Sequence, residues 1–202
     1  MDRLGVLQPT ALTGEAKQLY EDIKDYFEGN VNYTYKLDNG QMVGPVGYCL
    51  ALSMCDNSDL SQFGIELHTP GAGHAWLKMT KSLAEITELP PLAREVAILV
   101  TGNHEAAAYE IYAHSAVSKL SAEDLKTIAD GRCPSHLDEK CHAAFNLATD
   151  LCKPGRLSDQ AWEKAIGPLG KAAAVAVVHY VGFYKYVATI LNGFDAKIPE
   201  DS

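Results

Sequence analysis

No two of the five cysteines in this sequence, Cys49, Cys55, Cys133, Cys141 and Cys152, stand three residues apart, and their number is odd. That excludes a Cys-x-x-Cys redox motif and fits poorly with a framework of paired disulfides. The simplest reading is a reduced, cytoplasmic chain whose thiols are small buried apolar groups. Basic runs are missing too. Lys and Arg total 17 against 26 Asp and Glu, and the net charge of −9 opposes binding to a phosphate backbone. Nucleic acid is therefore not an expected partner. The longest apolar stretch, Ala172 to Val178, runs into His179 and Lys185 and falls far short of a bilayer span, so no membrane role is expected. Met1 to Pro9 lacks the charged-then-apolar pattern of a secretion signal. Internal repeats and low-complexity tracts are absent, and alternating β-branched runs nearly so.

What is present is helical periodicity over 202 residues, 47% of them hydrophobic, enough for a sizeable core. The pattern predicts a helix from Gly14 to about Phe27, capped by Thr13 and ending near Gly29-Asn30. Residues 30–70 form an irregular segment punctuated by Gly40, Gly44, Pro45, Gly47 and Asp56-Asn57, with an apolar stretch at Tyr48 to Met54. Further helices are predicted from Gly71 to before Leu89-Pro90, from Leu92 to Thr101, and from Glu105 to Leu120. Ser121 to Asp124 resembles a capping box opening a helix at Glu123 to Ala129. Three more run from Leu137 to Cys152, Ser158 to Ile166 and Leu169 to Leu191, with Gly193 as terminator and residues 194–202 as an arm. The expectation is an all-α chain forming a single domain over residues 1–202.

The stretch richest in chemistry runs from Leu89 to His114. Glu110 and His114 are four apart, so on a helix they share a face at about 6 Å, with Ala107 on that face and Tyr109 and Tyr112 beside it. A carboxylate next to an imidazole fixes the ring tautomer and stabilises the imidazolium after proton uptake. Both effects serve general acid–base catalysis. An ordinary surface pair at this spacing is the plainer alternative.

Other candidates are weighed in the same way. Arg94 can clamp a carboxylate through two parallel hydrogen bonds, or serve as a helix-face partner for an acidic neighbour. His74 can anchor a substrate carboxylate, or simply be a half-exposed residue at a helix start. His104, beside Glu105, is either a turn residue or a group at a pocket mouth. His179, beside Tyr180 in the apolar last helix, is a hydrogen-bonded core residue or a second acid–base group. A zinc site is not expected: His-Glu-x-x-His is absent, and Cys133, His136, Cys141 and His142 lack a usual spacing. Gly71 and Gly73 do not follow a predicted strand, so no dinucleotide fingerprint is present.

These residues carry a resemblance. Leu89-Pro90 with Arg94-Glu95 and Leu99, followed by Tyr109-Glu110 and His114, resembles the carboxymuconolactone decarboxylase / alkylhydroperoxidase D-like family. Leu12 to Ile23, Gly44-Pro45, Leu67 to Pro70, Leu120 to Glu123, Val181-Gly182 with Tyr184, and Leu191 to Phe194 are similar to its other segments. The likeness covers about residues 12 to 198, and the segment Tyr48 to Gln62 is longer than the family pattern. The resemblance implies an alkylhydroperoxidase-like helical bundle and a homo-oligomer, a trimer or larger ring. The peroxidase branch of that family carries Glu-x11-Cys-x2-Cys-x3-His. Here Glu95 and His114 hold the outer positions, while Ala107 and Glu110 hold the cysteine positions. Disulfide-cycling peroxide reduction needs both thiols and is not expected at this motif.

The resulting expectation is a cofactor-independent lyase or decarboxylase acting on a small organic acid, lactone or polyketide-like carbonyl compound. His114 is its acid–base residue, Glu110 the orienting partner and Glu95 the second carboxylate. Tyr109, Tyr112, Arg94, His74, His104 and His179 are the substrate-binding candidates. Isomerisation and ring-opening use the same equipment. The alternatives are a peroxide-handling oxidoreductase using Cys49, Cys55 or another cysteine, and a non-catalytic ligand-binding protein.

Overall fold

A computed structural model describes residues 4, 7, 9–30, 35–36, 42–43, 62–196 and 198. Cys49, Cys55, Gly44-Pro45, Tyr48 to Met54 and the other punctuating residues from Gly40 to Asn57 lie outside them. The chain is all-α. After a 3-10 turn at Pro9–Ala11, the helices are α1 (Gly14–Asn30), α2 (Gln62–Glu66), α3 (Pro70–Ala84), α4 (Pro91–His104), α5 (Ala108–Ser118), α6 (Ala122–Ala129), α7 (Glu139–Cys152), α8 (Asp159–Leu169) and α9 (Lys171–Gly193). A two-residue antiparallel ladder pairs β1 (Tyr35–Lys36) with β2 (Met42–Val43).

Two compact units are formed, one from Met1–Lys81 with Ile190–Ser202, the other from Ser82–Thr189. In the first, Leu19 and Ile23 of α1, Ile65, and Trp76 and Leu77 of α3 are buried, and the Phe27 and Trp76 rings stack at 6.2 Å. Gly73 permits this approach, because a Cβ there would lie 2.9 Å from the Glu66 carbonyl oxygen.

In the second unit α4 is the central element. It is buried continuously from Val96 to Gly102 and packs mainly against α5 and α7. Pro91 sits in its first turn, where the missing N–H has no helical partner to lose. The predicted helix over Glu105–Leu120 is shorter than expected at both ends. Ala106 takes φ 51° and Lys119 takes φ 58°, left-handed conformations that a helix cannot contain. The turn at Ala106, closed by the Ala107 N–H donating to the Gly102 carbonyl at 2.9 Å, folds α5 back along α4. The capping box is as predicted: the Asp124 N–H donates to the Ser121 hydroxyl, and the Ser121 N–H to the Asp124 carboxylate.

At the C-terminus of α7, the Lys185 ammonium donates to the Leu151 carbonyl at 3.0 Å, placing a cation on the negative end of the helix dipole. Gly170, at φ 77°, separates α8 from α9. By length and composition α9 would suffice for a membrane span. Ala173, Ala174, Ala176, Val177, Tyr180 and Val181 are instead packed into the core of the second unit. The Tyr180 hydroxyl donates to the Leu83 carbonyl at 2.7 Å.

Candidate functional site

Three helices of the second unit converge on one buried polar group. α4 supplies Arg94 and Glu95, α5 supplies Glu110 and His114, and α9 supplies Tyr180 and Tyr184. Glu95 is only 4% exposed, yet both of its oxygens are used. Arg94 Nε donates to Oε1 at 3.0 Å, and His114 Nδ1 lies 2.8 Å from Oε2. The Tyr184 ring meets the His114 imidazole edge-to-face, with centroids 4.8 Å apart and planes at 87°.

Burial alone would raise the pKa of Glu95. The hydrogen bond and charge of His114, then those of Arg94, outweigh it and hold the carboxyl below its ordinary range. Burial also opposes the charge on Arg94, but Glu95 and then Tyr180 keep its pKa above the usual value. With Glu95 ionised, Nδ1 must be the protonated nitrogen and donate to it. His114 Nε2 is then the nitrogen available to a substrate.

Glu110 has the opposite environment. It is 2% exposed, and neither carboxyl oxygen has a hydrogen-bond partner among the described residues. Burial, with a smaller contribution from the charge of Glu105, pushes its pKa up to about 9, so it is neutral at pH 7. The carboxyl fits against Gly102 of α4, where a Cβ would come within 2.9 Å of Oε1. This corrects the expected partnership: the carboxylate that orients His114 is Glu95, because Glu110 turns into the space that glycine leaves.

The contact makes Gly102→Ala informative. A glycine-to-alanine change inside a helix normally stabilises by up to about 1 kcal/mol. Here the Cβ must displace a flexible side-chain end, so stability should change by less than about 1 kcal/mol. The Glu110 carboxyl should move and any activity that depends on it should fall. An alanine variant with full activity would show that the position of Glu110 is unimportant.

The sequence matches no protein-family model and no curated protein sequence. Among solved structures it is similar to the debrominase Bmp8 in its apo form, with TM-score 0.70 and 13% identity over 98% of this chain and 92% of that one. An uncharacterized peroxidase-related protein from Ralstonia eutropha JMP134 with an alkylhydroperoxidase AhpD core gives TM-score 0.71 and 14% identity over 99% and 93%. A Cys-to-Ala variant of Bmp8 in complex with 2,3,4-tribromopyrrole gives 0.66 and 11% over 99% and 93%. The chain has the AhpD core fold.

On this AhpD core, the motif positions where the resemblance would put two thiols hold Ala107, fully buried, and the neutral Glu110. The described cysteines are poor substitutes. Burial, with Asp138 nearby, pushes Cys133 up to about 11 and Cys141 to about 12, and burial also raises Cys152. Each is a protonated thiol near neutrality and a weak nucleophile.

The remaining histidine candidates take exposed or separately paired positions. Tyr109 and Tyr112 lie on α5 with their rings 6.3 Å apart. His104 is exposed and paired with Glu105 at 3.2 Å. His179 is exposed at the edge of a shallow hollow of about 370 Å³ shared with Ile86, Glu88, Lys171 and Val175. His74 belongs to the first unit, 3.7 Å from Asp22. A second hollow, of about 350 Å³, lies between α7 and α8 and is lined by Asn146, Asp150 and Lys164. Neither hollow is lined by Glu95, Glu110 or His114. Among the described residues no three His, Cys, Asp or Glu side chains are grouped to hold a metal. Tyr184 was missed as a site residue. Its sequence signal was its place beside Val181-Gly182 in the closing segment that carries the resemblance.

Proposed function

We propose that this chain is a cofactor-independent enzyme that moves protons on a small organic acid, lactone or polyketide-like carbonyl compound, with decarboxylation as the leading reaction. The observation that carries this reading is the contrast between two buried carboxyls on α4 and α5: Glu95 is bonded to both Arg94 and His114, while Glu110 has no partner among the described residues. Glu95 is held as an anion by Arg94 and His114, while Glu110, one turn before His114, is held as a neutral acid. Environments that push neighbouring carboxyls apart in this way are how a site separates its base from its acid.

Loss of CO2 from an acid with a carbonyl beta to the carboxylate breaks a carbon–carbon bond. The electron pair passes into an enolate. That enolate must then take a proton at carbon, from His114 or from the acid Glu110, and solvent restores the proton to the donor. Glu95 holds the imidazole in the tautomer that presents Nε2. Enolisation and lactone opening use the same groups. The working form is proposed to be a homo-oligomer, a trimer or larger ring, on the strength of the family resemblance. The thiol alternative is the weaker one, because the motif lacks both cysteines and the described thiols are raised.

A panel of β-keto acids, their α-protonated ketone products and small lactones, incubated with the native chain in D2O, tests the proposal. Proton NMR should show CO2 loss or deuterium entering at the carbon alpha to the carbonyl. Absence of catalysed exchange, decarboxylation and ring-opening across the panel would sink the reading.

A further inference from the structure

The site has a hydroxyl whose role the acid–base reading leaves open. Tyr184 presses its ring edge-on to His114, and its hydroxyl has no hydrogen-bond partner among the described residues. Tyr180, one turn earlier on α9, uses its own hydroxyl on the Leu83 carbonyl. Burial first, then the neighbouring Glu95 and Glu110 carboxyls, raise the Tyr184 pKa well above the ordinary tyrosine range, so the phenol keeps its proton. The other donors beside His114 are largely committed. Arg94 Nε and His114 Nδ1 both point to Glu95. The Tyr184 O–H and the O–H of Glu110, whose oxygens have no partner among the described residues, remain uncommitted.

We propose that Tyr184 donates its phenolic hydrogen bond to the substrate oxygen on which negative charge develops. This rests on the proton-transfer reading and narrows its substrate class to compounds whose carbonyl becomes an enolate-like oxyanion next to His114. A neutral donor on a partly buried ring packed against His114 stabilises such an oxygen with little reorganisation. No bond to Tyr184 forms or breaks; its proton stays on the phenol.

The test compares two probes on the native chain and on Tyr184→Phe, which keeps the ring against His114 and deletes only the hydroxyl. The first probe is 4-nitrophenolate, whose phenolate oxygen mimics an enolate oxyanion; the second is 4-nitroanisole, its uncharged methyl ether. A hydrogen bond to a charged oxygen predicts about a ten- to hundred-fold loss of 4-nitrophenolate affinity in the variant. Affinity for 4-nitroanisole should stay unchanged, and the NMR signal of the His114 Nδ1–H should remain where it is. Equal affinity of the two proteins for the phenolate overturns the proposal. So does an equal loss for both probes, or failure of the native chain to bind the phenolate. The measurement does not require turnover. If phenolate binding depends on Tyr184 but no compound of the panel reacts, the proton-transfer reading falls and the oxyanion site stands. If the panel reacts and Tyr184→Phe keeps native rate and affinity, only the assignment of Tyr184 falls.

Discussion

Replacing His114 by alanine should abolish turnover of whichever carbonyl compound the native chain accepts, while the protein stays folded. The imidazole is held by Glu95 through Nδ1 at 2.8 Å and leaves Nε2 for the substrate. Deleting a general acid–base residue removes about 10²–10⁴-fold in rate. The structural cost is smaller because Glu95 is not abandoned: Arg94 still donates to Oε1 at 3.0 Å, so no lone buried anion results. The lost hydrogen bond and edge-on ring contact with Tyr184 should cost about 1–3 kcal/mol. A melting curve together with an assay on the reactive panel compound separates the two effects. Added imidazole should restore part of the rate by filling the space beside Glu95. A folded variant that works at near-native rate would remove His114 from the mechanism. Glu95→Gln is the sterner companion, since it removes the anion that both Arg94 and His114 address. It should lose stability as well as rate.

The sequence showed the fold class because helical periodicity and capping are local. Ser121 and Asp124 cap α6 as their spacing requires, and Pro91 opens α4 where its chemistry allows. Helix ends were less legible wherever a non-glycine residue takes a left-handed conformation. Nothing in Ala106-Ala107-Ala108 distinguishes Ala106, at φ 51°, from its neighbours. That turn decides the site, because it sets α5 against α4 and brings His114 to a carboxylate nineteen positions earlier in the chain. The i,i+4 rule favoured Glu110 as partner of His114 because it sees one helix at a time. The cavity left by Gly102 is a property of the neighbouring helix. Tyr184 was hidden for the same reason, its link to His114 being a packing contact between α5 and α9. His104 and His179 stand on exposed faces, a placement that their positions in the sequence do not reveal.

Glu110→Gln should make the protein more stable at neutral and alkaline pH and less active at the same time. The carboxyl is buried without a hydrogen-bond partner among the described residues and keeps its proton up to about pH 9, whereas in the unfolded chain it ionises near 4.5. Between those two values the folded state binds the extra proton. The contribution of Glu110 to stability is therefore fully present below pH 4.5 and is lost as pH rises toward 9. The slope is about 1.4 kcal/mol per pH unit for one proton. Glutamine has nearly the same shape and cannot ionise, so the slope disappears. The advantage of the variant should grow from about zero in mild acid to a few kcal/mol, in order of magnitude, at pH 8. Glu95 contributes in the opposite sense: its lowered pKa gives stability that is lost as pH falls through the folded value. That term is common to both proteins and cancels in the difference. Urea unfolding of native and variant chains at pH 5 to 9 measures the divergence directly; parallel curves would mean that Glu110 is ionised or hydrated in the folded state. Loss of rate in the more stable variant would then have one physical meaning. A neutral acid held dry and unpaired is destabilising in the folded chain, and a site retains such a group when its proton is needed there.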